Sequence, residues 1–373
     1  MSLPSTAGLS VPDAARAATF RLGGASVTLL TNSRAALAEA RSTLYSYQEQ
    51  AAMPAAWQVE LTCDPAATFS ADTEPGGQVI DIGPGLSAHV RVAGGCRSFW
   101  VPDLTTLITA DPAGRIISVR CASHDAARHW APRLARQAMT AQLLAAGMIY
   151  AHTAAFVSRG HGVLVAGPRG RGKTTTLLAS LHRLGGDYVT NDRLLLGATG
   201  HQPCGYPWPM PLRAGIGTLG ALPHLAGLVP EPLRALSAAG KWAFPHKIVI
   251  EPPDFPRLLS GNGKVADRIT PTVMIWPHLD PDRTHVRTDV VPPGEVLRTL
   301  LRTRMFMTDP ERGTRAHVNH WLVPGPPDQV TDANLTNAAT ALAAAPCYRI
   351  YAGADPMALA DAVASLLDIT ALP

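Results

Sequence analysis

The stretch "GVLVAGPRGRGKTTTLLASL", which runs from Gly162 to Leu181, constrains the fold of this chain more than any other. It matches the pattern G-x-x-x-x-G-K-[ST] at every fixed position, from Gly167 to Thr174. Glycines let a backbone turn so that successive N–H groups point inward, where they can bind phosphate oxygens. The lysine of the pattern would reach the outer phosphates, and its last residue would offer a hydroxyl to Mg²⁺.

The residues on both sides of this loop have the pattern of a strand and a helix. "GVLVAG" is a continuous apolar run, as in a buried strand, and the leucines of "TTTLLASLHRL" recur at helical spacing before a terminating "GG". The alternative is an ordinary strand-to-helix turn, but a chance match in a chain of this length is about one in a hundred. The residues that we expect to contact a nucleotide are Gly167, Arg169, Gly170, Arg171, Gly172, Lys173, Thr174 and Thr175.

Composition argues against nucleic-acid-binding and membrane-spanning proteins. The 373 residues suffice for one large or two ordinary domains, and 46% of them are hydrophobic, which allows a sizeable core. The net charge of +4 is not concentrated in one block, so we expect no nucleic-acid partner. No apolar run approaches the roughly 20 residues of a membrane span, and the first residues lack a signal-peptide pattern. We therefore expect a cytoplasmic protein without a membrane partner.

The five cysteines have no close pair, which argues against a disulfide framework or a zinc knuckle and favours buried, reduced thiols.

The chain is predicted to divide near residue 120. Residues 1–120 form a smaller strand-rich region, in which "RAALAEARSTLYSYQEQA" is a helix and "DPAATFSADTEPGGQ" is a loop. Its predicted strands are "ASVTLLT", "WQVELTC", "QVIDIG", "HVRVAG" and "RIISVRC".

Residues 121–373 are predicted to form an α/β domain. A helix capped by Ser123 or Asp125 ends near Gly147, and "IYAHTAAFV" and "VLVAG" are neighbouring strands. After Asp192 the content of Pro and Gly predicts long loops, which often shape a site. Further elements are the strands "TPTVMIWP" and "CYRIYAG" and the helix "PMALADAVASLL".

Two residues outside the loop suggest a family. His152 lies fifteen positions before Gly167, and Asp192 ends the apolar stretch "YVTND" after the helix. This succession of a histidine-bearing strand, loop, helix and acid-terminated strand resembles the catalytic domain of HPr kinase/phosphorylase. That family is itself similar to phosphoenolpyruvate carboxykinase in its P-loop core. The resemblance covers roughly residues 145–200 and implies an α/β fold with a P-loop core in a mixed sheet.

The resemblance implies a kinase that transfers the γ-phosphoryl group of ATP to a serine hydroxyl, with Mg²⁺. It implies that Asp192, His152 and Lys173 are catalytic and that Thr174 and Asp192 hold the metal ion. Asn191 stands where the family has the first of two adjacent aspartates. One carboxylate therefore remains for the metal contact and for the base, and the base is either Asp192 or His152.

The acceptor is expected to be a Ser or Thr of a peptide or protein. Relatives of this kind phosphorylate a precursor peptide in peptide natural-product pathways, and a small-molecule hydroxyl is an alternative. HPr kinases assemble as hexamers, so the resemblance leaves a homo-oligomer open. Another class, the regulatory or motor NTPases, usually has four apolar residues that end in Asp-Glu. "VMIWPHLD" is the nearest match here and is poor, which favours a kinase.

Basic residues after Asp192 are further candidates. Lys241, His246 and Lys247 lie in "GKWAFPHK", and Arg213 lies in "MPLRAG". These groups either neutralise charge in the transition state or form an ordinary solvated surface.

Overall fold

The computed structural model describes residues 16–49, 55–66, 69, 77–83, 85–200, 202–259, 262–280, 282–309, 314–315 and 321–370. The chain divides into two compact units, residues 1–142 with 319–325 and residues 143–318 with 326–373. In the described parts of the chain, no helix is long and apolar enough to cross a membrane.

The first unit is built on an eight-stranded sheet. Its order is β1-β2-β3-β8-β7-β6-β5-β4, and the pairs β2–β3 and β3–β8 are parallel whereas the others are antiparallel. The elements are β1 (Arg16–Leu22), β2 (Ala25–Thr31), α1 (Arg34–Thr43), β3 (Trp57–Cys63), β4 (Gln78–Gly83), β5 (Leu86–Ala93), β6 (Cys96–Val101), β7 (Thr106–Asp111), β8 (Ile116–Cys121) and α2 (His124–Ala145).

All five strands that the sequence predicts in this region are present, and β1, β6 and β7 are additional. Helix α1 ends at Thr43, so the predicted helix is too long; a 3₁₀ turn follows at Tyr45–Tyr47. The predicted loop "DPAATFSADTEPGGQ" lies mostly outside the described residues.

Helix α2 explains why the unit boundary differs from the predicted one at residues 120 and 121. Trp130 Nε1 donates to Thr106 Oγ1 at 3.2 Å, and Gln142 Nε2 donates to Ser26 O at 3.0 Å. These bonds attach most of α2 to the strands of the first unit, so the division falls after Gln142. The kinase activity that the resemblance implies for the second region stays a prediction.

The second unit contains a mixed sheet of eight strands in the order β13-β12-β9-β10-β16-β20-β17, with β11 also paired to β9. The pairs β10–β16 and β16–β20 are parallel, and the other pairs are antiparallel. Two short antiparallel pairs, β14–β15 and β18–β19, lie outside this sheet. A mixed α/β architecture is therefore confirmed.

The strands of this unit are β9 (Ile149–Ser158), β10 (His161–Ala166), β11 (Asp187–Thr190), β12 (Arg193–Thr199), β13 (Gln202–Pro207), β14 (Leu212–Gly215), β15 (Lys247–Ile250), β16 (Pro271–Leu279), β17 (Arg287–Val290), β18 (Thr308–Asp309), β19 (Thr314–Arg315) and β20 (Cys347–Ala352). The helices are α3 (Lys173–Leu184), α4 (Ile216–Ala221), α5 (Glu231–Arg234), α6 (Ala238–Ala243), α7 (Pro293–Arg302), α8 (Asp328–Ala343) and α9 (Pro356–Thr370).

Strand β10 is buried on both faces, as its unbroken apolar sequence predicts. Val163 and Val165 belong to the core that includes the leucines of α3 and the apolar residues of α9. Leu164 and Ala166 belong to a second core, with apolar residues of α7 and α8. The strand is thus fixed between two helical layers, and its carboxyl end leads directly into the loop of the G-x-x-x-x-G-K-[ST] pattern.

Strands β13–β15 lie in the two stretches rich in Pro and Gly for which the sequence predicts long loops. Pro203 and Pro207 lie in β13, which is the outermost strand of the sheet. Proline is tolerated on such a strand because one edge needs no N–H donors for a neighbour. The prediction of loops was therefore wrong for this part of the chain.

Candidate functional site

Residues 167–172, the glycine loop, connect β10 to α3. Gly167, Gly170 and Gly172 have φ of 146°, 86° and 100°, values that favour glycine over residues with a side chain. A β-carbon at Gly172 would also overlap the side chain of Leu279, at the end of the adjacent strand β16. The loop therefore turns sharply where its glycines lie, as a phosphate-binding loop requires.

Gly172→Ala should destabilise the protein by about 2–4 kcal/mol, because backbone strain and overpacking against Leu279 add. Gly170→Ala is the matched control, since Gly170 also has a positive φ but has no atom within 4 Å of a β-carbon position. It should cost about 1–2 kcal/mol, from backbone strain alone. Urea unfolding of both variants measures the difference, and equal losses would contradict tight packing at Gly172.

Lys173 is the first residue of α3, and only 7% of its surface is exposed. Its Nζ donates to Gly167 O at 2.7 Å and to Pro168 O at 3.0 Å. Burial lowers the pKa of Lys173 to about 8, with Asp192 opposing this shift and Lys247 adding to it. The ammonium group is therefore still mostly protonated at neutral pH and lies within the glycine loop.

The three threonines that follow have different environments. Thr175 Oγ1 and Thr218 Oγ1 are hydrogen-bonded at 2.8 Å, which ties α3 to α4. Thr176 Oγ1 donates to Gly172 O at 3.0 Å. The half-buried Thr174 hydroxyl has no hydrogen-bond partner in the described part of the chain, so it is the one of the three that is available to a ligand.

His152 and Asp192 are brought together by the antiparallel pairing of β9 with β12, in which His152 lies opposite Arg193. The His152 Nδ1 is 3.2 Å from Asp192 Oδ1 and 3.1 Å from Asp192 O. Because a carbonyl oxygen only accepts hydrogen bonds, Nδ1 must carry the proton of this bond. Nε2 is then the nitrogen with a free lone pair in the neutral ring.

The carboxyl group of Asp192 is held ionised. Burial works to raise its pKa, but the hydrogen bond from His152 and the charges of His152, Arg193 and Lys173 outweigh this effect and lower the pKa to about 2. Arg193 Nε lies 3.4 Å from Asp192 Oδ2, and the Arg193 guanidinium stacks 4.8 Å from the centre of the Trp208 ring. Arg193 was not among the predicted site residues, although its position directly after Asp192 in the sequence could have indicated it.

Asn191 is buried and its Oδ1 accepts a hydrogen bond from the Tyr188 hydroxyl at 3.2 Å. This side chain therefore has a packing role beside the carboxylate of Asp192.

The two arginines of the glycine loop differ. Arg171 Nη1 lies 3.1 Å and 3.2 Å from the ring nitrogens of His278, so this side chain reaches the end of β16. Arg169 is exposed at the tip of the loop. Contacts of these two side chains with a nucleotide stay a prediction.

Comparison with known proteins gives similarity to solved structures and no match by sequence. No protein-family model matches the chain, and no curated protein sequence matches it. Among solved structures, the chain is similar to the Hpr(Ser) kinase/phosphatase from Coxiella burnetii. The two are 19% identical, the TM-score is 0.22, and the match covers 38% of this chain and 72% of that chain.

Proposed function

We propose that this chain is an ATP-dependent phosphotransferase that moves the γ-phosphoryl group to a hydroxyl, the Ser or Thr of a peptide or protein. One observation carries the proposal: the buried cation of the glycine loop, Lys173, interacts electrostatically with Asp192, which is itself bonded to His152 at 3.2 Å. A cation that can bind phosphates therefore lies beside a pair of residues that can accept a proton. Phosphoryl transfer needs mainly positioning and charge neutralisation, which such a group supplies.

The residues present fit a nucleoside triphosphate with Mg²⁺. The glycine loop and the amino end of α3 offer backbone N–H groups, and Lys173 Nζ has only loop carbonyls as its acceptors among the described residues. The Thr174 hydroxyl and the Asp192 carboxylate would hold Mg²⁺, which prefers oxygen ligands and commonly binds through one or two carboxylates and substrate phosphates. When bound, the ion would neutralise charge on the phosphates.

His152 fits the role of general base better than Asp192. A carboxylate whose pKa is about 2 accepts a proton weakly, whereas Nε2 of His152 has a free lone pair when Nδ1 donates to Asp192. With Nδ1 bonded to Asp192, the acceptor hydroxyl would give its proton to Nε2. Asp192 would orient the ring and stabilise the imidazolium that forms, in addition to holding the metal ion.

The test combines binding and transfer. Calorimetry with ATP and Mg²⁺ should show binding, and mass spectrometry should detect a phosphorylated product among Ser- and Thr-containing peptides encoded beside this protein. Little ATP should be hydrolysed without an acceptor. Rapid hydrolysis that is independent of acceptors, with no phosphorylated product, would instead favour a regulatory NTPase, and phosphorylation of a small-molecule hydroxyl alone would correct the acceptor class.

The affinity for ATP should fall as the pH rises through about 8. Lys173 loses its proton there in the free protein, and phosphate binding favours the protonated form. The loss should approach tenfold per pH unit above 8, which fluorescence titration with a labelled ATP analogue can measure. Lys173→Arg is the control, because a guanidinium stays protonated across this range. An equal fall in this variant would assign the effect to another group.

A further inference from the structure

Strands β14 and β15 expose a pair of cations that the proposed function does not use. Their register places Arg213 opposite Val249 and Gly215 opposite Lys247, so Arg213 and Lys247 lie on the same face of the pair. Both side chains are exposed. The opposite face packs in the core with the leucines of α3 through Leu212, Ala214 and Ile250.

This strand pair is attached next to the glycine loop. Helix α4 follows β14 directly, and Thr218 of α4 is bonded at 2.8 Å to Thr175, in the first turn of α3. The end of β14 at Gly215, with Lys247 opposite, is therefore the end nearest the loop. The segment before β15 is also packed closely, since a β-carbon at Gly217 would lie 2.7 Å from the ring of Trp242.

The charges around this end of the pair are mostly positive. Lys247 is exposed to solvent, but neighbouring groups desolvate its ammonium group in part, and this effect and the charges of Arg169 and Arg213 lower its pKa, while Asp192 opposes the shift. Asp192 is already engaged by His152 and Arg193. Within the described parts of the chain, no carboxylate lies in ion-pair distance of Arg169, Arg213 or Lys247. Uncompensated cations of this kind attract anionic ligands.

We infer that Arg169, Lys247 and Arg213, the cationic row, bind an acidic group of the phosphate acceptor, and that the acceptor is an acidic peptide. This inference rests on the proposed function. The loop N–H groups and Lys173 suffice for the phosphates of the nucleotide. Lys247 interacts electrostatically with Lys173 and with Arg213, so the cationic row connects the phosphate site to an exposed strand face, where a flexible peptide can place its carboxylates.

Binding of defined peptides tests whether the cationic row selects an acidic acceptor. Three fluorescein-labelled peptides of equal length carry one Ser flanked by Glu, Gln or Lys, and anisotropy is measured with a non-hydrolysable ATP analogue present. The Glu peptide should bind about tenfold more tightly than the Gln peptide, and the Lys peptide more weakly than both. Arg213→Gln should weaken binding of the Glu peptide about two- to fivefold, the size of one exposed ion pair, and leave the Gln peptide unaffected. Arg298→Gln, at an exposed arginine of α7, should change nothing.

Two results would overturn the inference. The first is equal binding of the three peptides by a protein that binds the nucleotide analogue. The second is an equal loss of nucleotide and peptide affinity in Arg213→Gln, which would assign the cationic row to the nucleotide. Should that variant fail to fold, as circular dichroism would reveal, Lys247→Gln repeats the measurement on the other strand. Failure of the wild-type protein to bind the analogue would instead contradict the proposed function.

Discussion

Replacing Lys173 with alanine should lower the affinity for ATP by about 10²-fold and bring phosphoryl transfer below detection. The ammonium group is buried within the glycine loop, where a hydrogen bond to a charged phosphate contributes about 1.5–3 kcal/mol. Its charge also acts on the phosphoryl group during transfer, so the rate should fall more than the binding does. Calorimetry gives the affinity, and single-turnover transfer gives the rate.

The control for Lys173→Ala is the same substitution at a lysine that lies on the surface. Lys264 is exposed, and its backbone contacts the neighbouring strand β11: the carbonyl accepts from Tyr188 N at 2.9 Å, and the N–H donates to Asp187 Oδ1 at 3.0 Å. Lys264→Ala should therefore behave as the wild type. Lys173→Met keeps most of the side-chain volume and separates lost charge from lost packing. ATP affinity at the wild-type level in both Lys173 variants would show that the glycine loop does not bind the phosphates.

The glycine loop could be predicted from sequence because its signals are local. The glycines, the apolar run of β10 and the leucine spacing of α3 all lie within about one strand and one helix of each other, and the structure has each element where its pattern predicts. The hydrogen-bond partners of two side chains, one in the loop and one in α3, could not be predicted in the same way. Arg171 turns to His278 and Thr175 to Thr218, and both partners are distant in sequence.

The pairing of His152 with Asp192 also depends on distant residues. Forty positions separate them, and they meet only because β9 and β12 are neighbours in the sheet. Periodicity shows that a segment forms a strand but leaves open which strand lies beside it. The family resemblance implies this pair from the sequence alone, without the register. The cationic row had no such support, since β14 and β15 are 31 residues apart and lie in a region whose Pro and Gly content suggests loops.

Substitution of His152 or Asp192 should reduce phosphoryl transfer strongly, and the two effects should not add. His152→Ala removes the base and should slow transfer by about 10²–10⁴-fold while nucleotide binding persists. Asp192→Asn removes the anion that orients the ring and the proposed metal ligand, so its loss should be at least as large. Because residues that act as a unit give non-additive losses, the double variant should be close to the Asp192→Asn single variant.

A double-mutant cycle of single-turnover rates measures this coupling, with nucleotide affinity determined for each variant. His161→Ala is the matched control, since His161 lies at the start of β10, at the end of that strand opposite the glycine loop. If Asp192 were itself the base, His152→Ala would cost little, and Asp192→Asn would account for nearly all of the loss. Losses that add would mean that the two residues act independently despite their 3.2 Å contact. Wild-type rates in both single variants would mean that the proton leaves by another route and that this pair has a structural role, joining β9 to β12.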